Sequence, residues 1–308
     1  MKHNLRIIFI ILAMFILTQF IGIYVVDYYS SVKIIDGNVI NVSSPDLPFG
    51  LEMPEPREDI EFTQAFASII FAFMIAIFLL LLLSKFNAEL IIRLWFFIVV
   101  AIALGISFNV PLMIFGIPSP WIIALALGLI LSFIKIYKMG FLVHNFTELL
   151  IYPGIATIFV PILNVYTIVF LLILISVYDM WAVWHSGIMQ KMAKYQIDKL
   201  KIFSGFFVPY VSSKVRLKLK KMKKSELKKK RIRVNIAILG GGDVVFPIIT
   251  AGVMLKTLGL FSAVFVVIGA ALGLSYLLFF SEKKKFYPAM PFITAGIFLG
   301  IALSYLIL

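Results

Sequence analysis

The segment Leu239-Gly240-Gly241-Gly242-Asp243-Val244-Val245-Phe246-Pro247 sets three glycines and an acid inside an otherwise apolar run, 234–255. A run of about 20 apolar residues, at 1.5 Å rise each, is long enough to cross a bilayer as a helix. Three glycines weaken such a helix by roughly 1 kcal/mol each relative to alanine and leave the backbone bare beside the carboxylate. In lipid a bare backbone is tolerated only next to a cavity or a close partner. Close helix packing explains the glycines. It does not explain the acid beside them.

The rest of the chain makes the membrane reading general. Its 308 residues are 62% hydrophobic and 14% charged, contain no cysteine, and have a mean hydropathy of +1.06. A soluble domain is about 45–50% apolar and about 25% charged. The composition excludes a water-soluble globule, a disordered chain and a disulfide scaffold. Nine apolar stretches have spanning length: 5–26, 64–83, 90–108, 120–137, 142–163, 166–184, 234–255, 258–280 and 287–308. The expected fold is all-α, a single polytopic domain over 1–308. The first stretch reads as a retained anchor, because it is too long for a signal-peptide core and no small-x-small site follows. Pro153 and Pro161 fall in the fifth stretch, which requires neighbouring helices to satisfy the freed carbonyls.

Lys and Arg set the expected orientation. With the N-terminus inside and strict alternation, 25 of the 28 bases lie inside and only Lys33, Arg57 and Lys256 lie outside. This satisfies the positive-inside rule, and an odd number of spans puts the C-terminus outside. Segment 27–63 carries eight acids and four prolines and reads as an irregular outside loop. Segment 185–233 carries sixteen bases and reads as cytoplasmic. A net charge of +13 raises nucleic acid as a partner. However, the basic run 218–224 has no interleaved aromatics, and it reads as a topology anchor touching anionic lipid head groups of the cell membrane.

Of fifteen acids, only Glu148, Asp179 and Asp243 fall within apolar stretches. A carboxylate in hydrocarbon costs several kcal/mol and must face the bundle interior, pair or hold a proton. Asp179 lies five residues before the end of stretch six, on the order of 8 Å from the inner edge. Asp243 lies nine residues after the start of stretch seven, on the order of 14 Å from the same edge. Two carboxylates a few Å apart cannot both ionise, so they share a proton. One then activates a water as base while the other, protonated, polarises a peptide carbonyl.

These residues resemble the GxGD intramembrane aspartyl proteases, a family that comprises presenilin, signal peptide peptidase and archaeal homologues. Tyr178-Asp179 in stretch six resembles the family's YD motif, and Gly240-Gly241-Gly242-Asp243 in stretch seven resembles GxGD. Pro288-Ala289-Met290-Pro291 in stretch nine resembles its Pro-Ala-Leu motif, with Met290 in place of Leu. The resemblance covers the whole chain and is nearest the archaeal members. It implies a catalytic dyad of Asp179 and Asp243 that hydrolyses peptide bonds within transmembrane helices of membrane proteins or signal peptides. It also implies that Tyr178, Gly240, Gly242, Pro288, Ala289 and Met290 shape the site around substrate. It implies no cofactor, no metal and no accessory subunit; a homo-oligomer stays open.

No His-Glu-x-x-His is present, and the three histidines are His3, His144 and His185. His144 and Glu148 share a helix face and read as a polar, interfacial start of stretch five that bonds neighbouring loops. Gly105-Ile106-Ser107 and Gly273-Leu274-Ser275 match a serine-protease fragment, a pattern short enough to be expected by chance. The strongest rival is an ion channel or proton-coupled transporter that uses the paired acids as a relay.

Overall fold

The computed structural model describes residues 5–35, 38–54, 67–68, 71–72, 74–75, 78–79, 82, 89–138, 140–186, 202–210, 235–282 and 287–307. In hydrocarbon every backbone N–H and C=O must be satisfied within the chain, so the apolar runs become helices. They are α1 Leu5–Tyr29, α2 Glu89–Ile114, α3 Pro120–Tyr137 and α4 Phe141–Phe159. There follow α5 Val165–Trp181, α6 Gly241–Leu258, α7 Leu260–Phe280 and α8 Met290–Ile307. Among the described residues eight helices are long and apolar enough to cross a membrane. Most of the expected span at 64–83 and most of 185–233 lie outside the described residues.

The all-α expectation needs correction by two antiparallel hairpins. Segment 27–63, expected to be irregular, contains β1 Val32–Ile35 paired with β2 Asn38–Asn41. More consequential is β3 Gly205–Tyr210 paired with β4 Asn235–Gly240. β4 occupies the first residues of the expected seventh span, so α6 begins only at Gly241. Asp243 therefore stands about 3 Å into its helix rather than about 14 Å, at 1.5 Å per residue.

The core joins α1, α4, α5, α6, α7 and α8 around residues such as Phe15, Ile168, Leu172, Ile248, Val266 and Ile297. Large apolar side chains such as Trp95, Leu142 and Leu272 stay exposed on outward helix faces, which is where lipid solvates them. Small residues set the closest crossings. A Cβ on Gly269, Gly273, Gly296 or Gly300 would strike the backbone of the facing helix, which locks α8 against α7. Gly22 of α1 likewise lies against Ile248 of α6. Pro161 falls in a short 3-10 turn, Val160–Ile162, after α4. The Lys256 ammonium from α6 donates to the Val160 carbonyl at 2.7 Å and the Pro161 carbonyl at 3.3 Å, acceptors at a helix end, where the last carbonyls lack intrahelical partners.

Candidate active site

Three helices, α5, α6 and α8, pack on one another in pairs. Their meeting ends carry the motifs singled out in the sequence. Asp179 lies near the C-terminal end of α5, and Asp243 is the third residue of α6. The Asp243 carboxylate is close enough to Asp179 to feel its charge. Both are partly buried.

Local geometry explains why an acid follows these glycines. Gly240 is the N-cap of α6, so Asp243 occupies the N3 position. An acid at N3 reaches back to the N-cap N–H, one of the donors a helix start leaves without an internal partner. The Asp243 carboxylate lies within hydrogen-bonding reach of the Gly240 N–H, and a Cβ on Gly240 would stand 3.1 Å from Asp243 Oδ2. Gly241 is tighter still: a Cβ there would lie 2.8 Å from Ser204 Oγ and 2.9 Å from Tyr152 Oη. Gly242 is exposed, and a Cβ there meets only the Phe246 ring, at 3.8 Å. The residue between the two motif glycines is thus the one most confined, and the sequence pattern did not single it out.

Asp179 also sits at a helix start, that of α8. The Met290 N–H donates to Asp179 Oδ2 at 3.1 Å, and the Ala289 N–H is within reach of the same carboxylate. Pro288 and Met290 are buried. The Pro-Ala-Met segment therefore acts through its backbone, bringing orphan N–H groups and the positive end of the α8 dipole to Asp179. One turn away Ser176 Oγ donates to Thr294 Oγ1 at 2.9 Å, a second tie between α5 and α8. Tyr178 is 53% exposed, and its ring lies tilted against Trp181 at 6.3 Å. No contact of Tyr178 with either carboxylate accompanies that arrangement.

Two supports lay outside the sequence reading. Gln19 on α1 is fully buried and donates from Nε2 to the Val244 carbonyl at 3.0 Å, gripping the residue after Asp243. Its only sequence signal is an amide amid an apolar run. On the other side, α4 holds the edge of β3: Asn145 Nδ2 donates to the Phe207 carbonyl at 2.9 Å, and the Phe207 N–H donates to Asn145 Oδ1 at 3.1 Å. That side chain imitates a neighbouring strand and closes one edge of the hairpin. Among the described residues β4 pairs only with β3, and its Ile236 and Ile238 are exposed. Among the described residues no cluster of three or more His, Asp and Glu is arranged to hold a metal ion.

Comparison with known proteins agrees with this geometry. No curated protein matches the chain. Two solved structures of a presenilin family intramembrane aspartate protease, in P2 and C222 space groups, share its fold. The first is 18% identical with a TM-score of 0.57, covering 97% of each chain. The second is 16% identical with a TM-score of 0.59, covering 98% of this chain and 99% of that one. The family model described as signal-peptide peptidase, presenilin aspartyl protease matches residues 52–308. This chain, with an acid from α5 and an acid from α6 brought to one place, belongs to the signal-peptide peptidase, presenilin aspartyl protease family.

Proposed function

We propose that Asp179 and Asp243 are the catalytic dyad of this intramembrane aspartyl protease and cleave peptide bonds inside transmembrane segments of membrane proteins or signal peptides. The observation that carries the reading is the approach of the two carboxylates at the ends of α5 and α6, each beside the start of a helix. One ionised carboxylate takes a proton from water as its oxygen attacks the peptide carbonyl carbon. The protonated partner gives its proton to the carbonyl oxygen. Collapse of the resulting diol breaks the C–N bond, and the amine leaves with a proton returned by the dyad.

A helical substrate hides its carbonyls in hydrogen bonds, so it must unwind first. Among the described residues β4 has one edge without a neighbouring strand; it runs directly into Gly240 and would offer main-chain partners to an extended peptide. The Ala289-Met290 backbone orients Asp179, and Gly240 leaves room for Asp243 to fold back. The N-terminus faces the cytoplasm, the C-terminus lies outside the cell membrane, and the protein acts without accessory subunits or a cofactor. Neither the family nor the fold likeness favours a channel or transporter.

The test offers the detergent-purified protein a synthetic single-span peptide that carries a fluorophore and a quencher on either side of its apolar segment. Cleavage inside that segment, blocked by a peptidomimetic with a hydroxyl at the scissile position, is expected. Absence of cleavage and of inhibitor binding contradicts the proposal.

A further inference from the structure

Beyond the dyad, α3 and α4 bury a set of charges that peptide hydrolysis does not call for. Lys135 Nζ of α3 donates to Glu148 Oε1 of α4 at 2.5 Å, with both side chains almost fully buried. The same ammonium lies 3.2 Å from His144 Nδ1. An ammonium only donates, so Nδ1 accepts and the imidazole carries its hydrogen on Nε2. That Nε2–H donates to the Gly205 carbonyl at 2.8 Å, at the first residue of β3. Lys135 is thereby satisfied on two sides, while Glu148 Oε2 is buried with no partner among the described residues.

One turn further along the same face of α4 stands Tyr152, also buried, whose hydroxyl has no hydrogen-bond partner among the described residues. It is within reach of the Glu148 carboxylate and of Ser204, and it feels the charge of Asp243. With Ser204 Oγ, its oxygen fills the space that a Cβ on Gly241, two residues before Asp243, would need. Packing alone does not ask for this hydroxyl, since a phenylalanine ring fills the same space. Stability alone does not ask for the charges either, since apolar residues of similar volume replace buried ion pairs at little or no cost.

We infer that Tyr152, backed by Glu148 and Lys135, is a positioning residue for Asp243. The hydroxyl stands within reach of the Glu148 carboxylate, to which it can donate, and lies against the first turn of α6 at Gly241, where helix N–H groups have no internal partner. α4 thus grips the catalytic turn at two points: directly through Tyr152 at Gly241, and through His144 and Asn145 on the strand that holds β4 in register. The inference rests on the dyad reading above.

The test uses the full-length protein in detergent with the fluorogenic single-span peptide, comparing wild type, Tyr152→Phe and Asp243→Ala. A misplaced catalytic group costs rate rather than binding, so Tyr152→Phe should lower kcat about tenfold or more, leave KM within about twofold, and leave Tm unchanged. A wild-type kcat in Tyr152→Phe overturns the inference and leaves the dyad reading standing. So does a raised KM at constant kcat, which marks a substrate contact. A lowered Tm also overturns it, since the hydroxyl then serves only stability. Cleavage persisting in Asp243→Ala overturns the dyad reading, and the inference with it.

Discussion

A methyl group distinguishes two neighbouring glycines. At Gly241 it would press on Ser204 Oγ and Tyr152 Oη at 2.8 and 2.9 Å, while at Gly242 it would meet only the Phe246 ring at 3.8 Å. Gly241→Ala is therefore expected to lower the rate of peptide cleavage about tenfold or more, because the turn carrying Asp243 must shift. Gly242→Ala is expected to keep it within about twofold, since alanine is the better helix former. Equal effects of the two substitutions would contradict this account. The motif named Gly240 and Gly242 and passed over Gly241, because the crowding comes from residues 152 and 204, remote in sequence. Lys135 is equally hard to read from sequence, because the residues that bury its ammonium, Glu148 and His144, lie on the next helix. Lys135→Met should cost about 3–5 kcal/mol, because Glu148 is left charged and alone. The double variant Lys135→Met with Glu148→Leu should recover most of that loss; unfolding followed by temperature or denaturant in detergent measures both.

Among the elements, helices were legible because lipid allows little else. The apolar stretch 120–137 became α3 with both ends as expected. β4 was not legible: a short apolar run reads equally as strand or helix. What decides it is pairing with β3, whose partner residues lie across a long basic segment. Once formed, β4 shows the period of a strand, with Ile236 and Ile238 exposed and Ala237 and Leu239 buried. The Pro-Ala-Met segment shows another limit. Its side chains drew attention, but its backbone N–H groups meet Asp179. Met290→Leu should therefore retain wild-type cleavage. Met290→Pro fits the first position of a helix yet removes the N–H, and should reduce cleavage about tenfold or more. Loss of cleavage in Met290→Leu would show that the thioether rather than the backbone matters.

For the molecule as a whole, the arrangement brings one acid from α5 and one from α6 to the same corner, with α1, α4 and α8 as its walls. A pair that works by sharing one proton has one active protonation state. At low pH both carboxyls are protonated and no base remains; at high pH both are ionised and no acid remains. The rate should thus pass through a maximum between two apparent titrations that belong to the pair, as measured by kcat across pH. A single monotonic titration would mean that the two groups act independently. The most direct measurement is single-turnover cleavage of a labelled transmembrane peptide by wild type, Asp179→Asn, Asp243→Asn and the double variant. Groups that act as a unit are non-additive. Each single change should reduce cleavage to background and the double variant should fall no further, whereas a wild-type rate in either single variant would contradict the dyad.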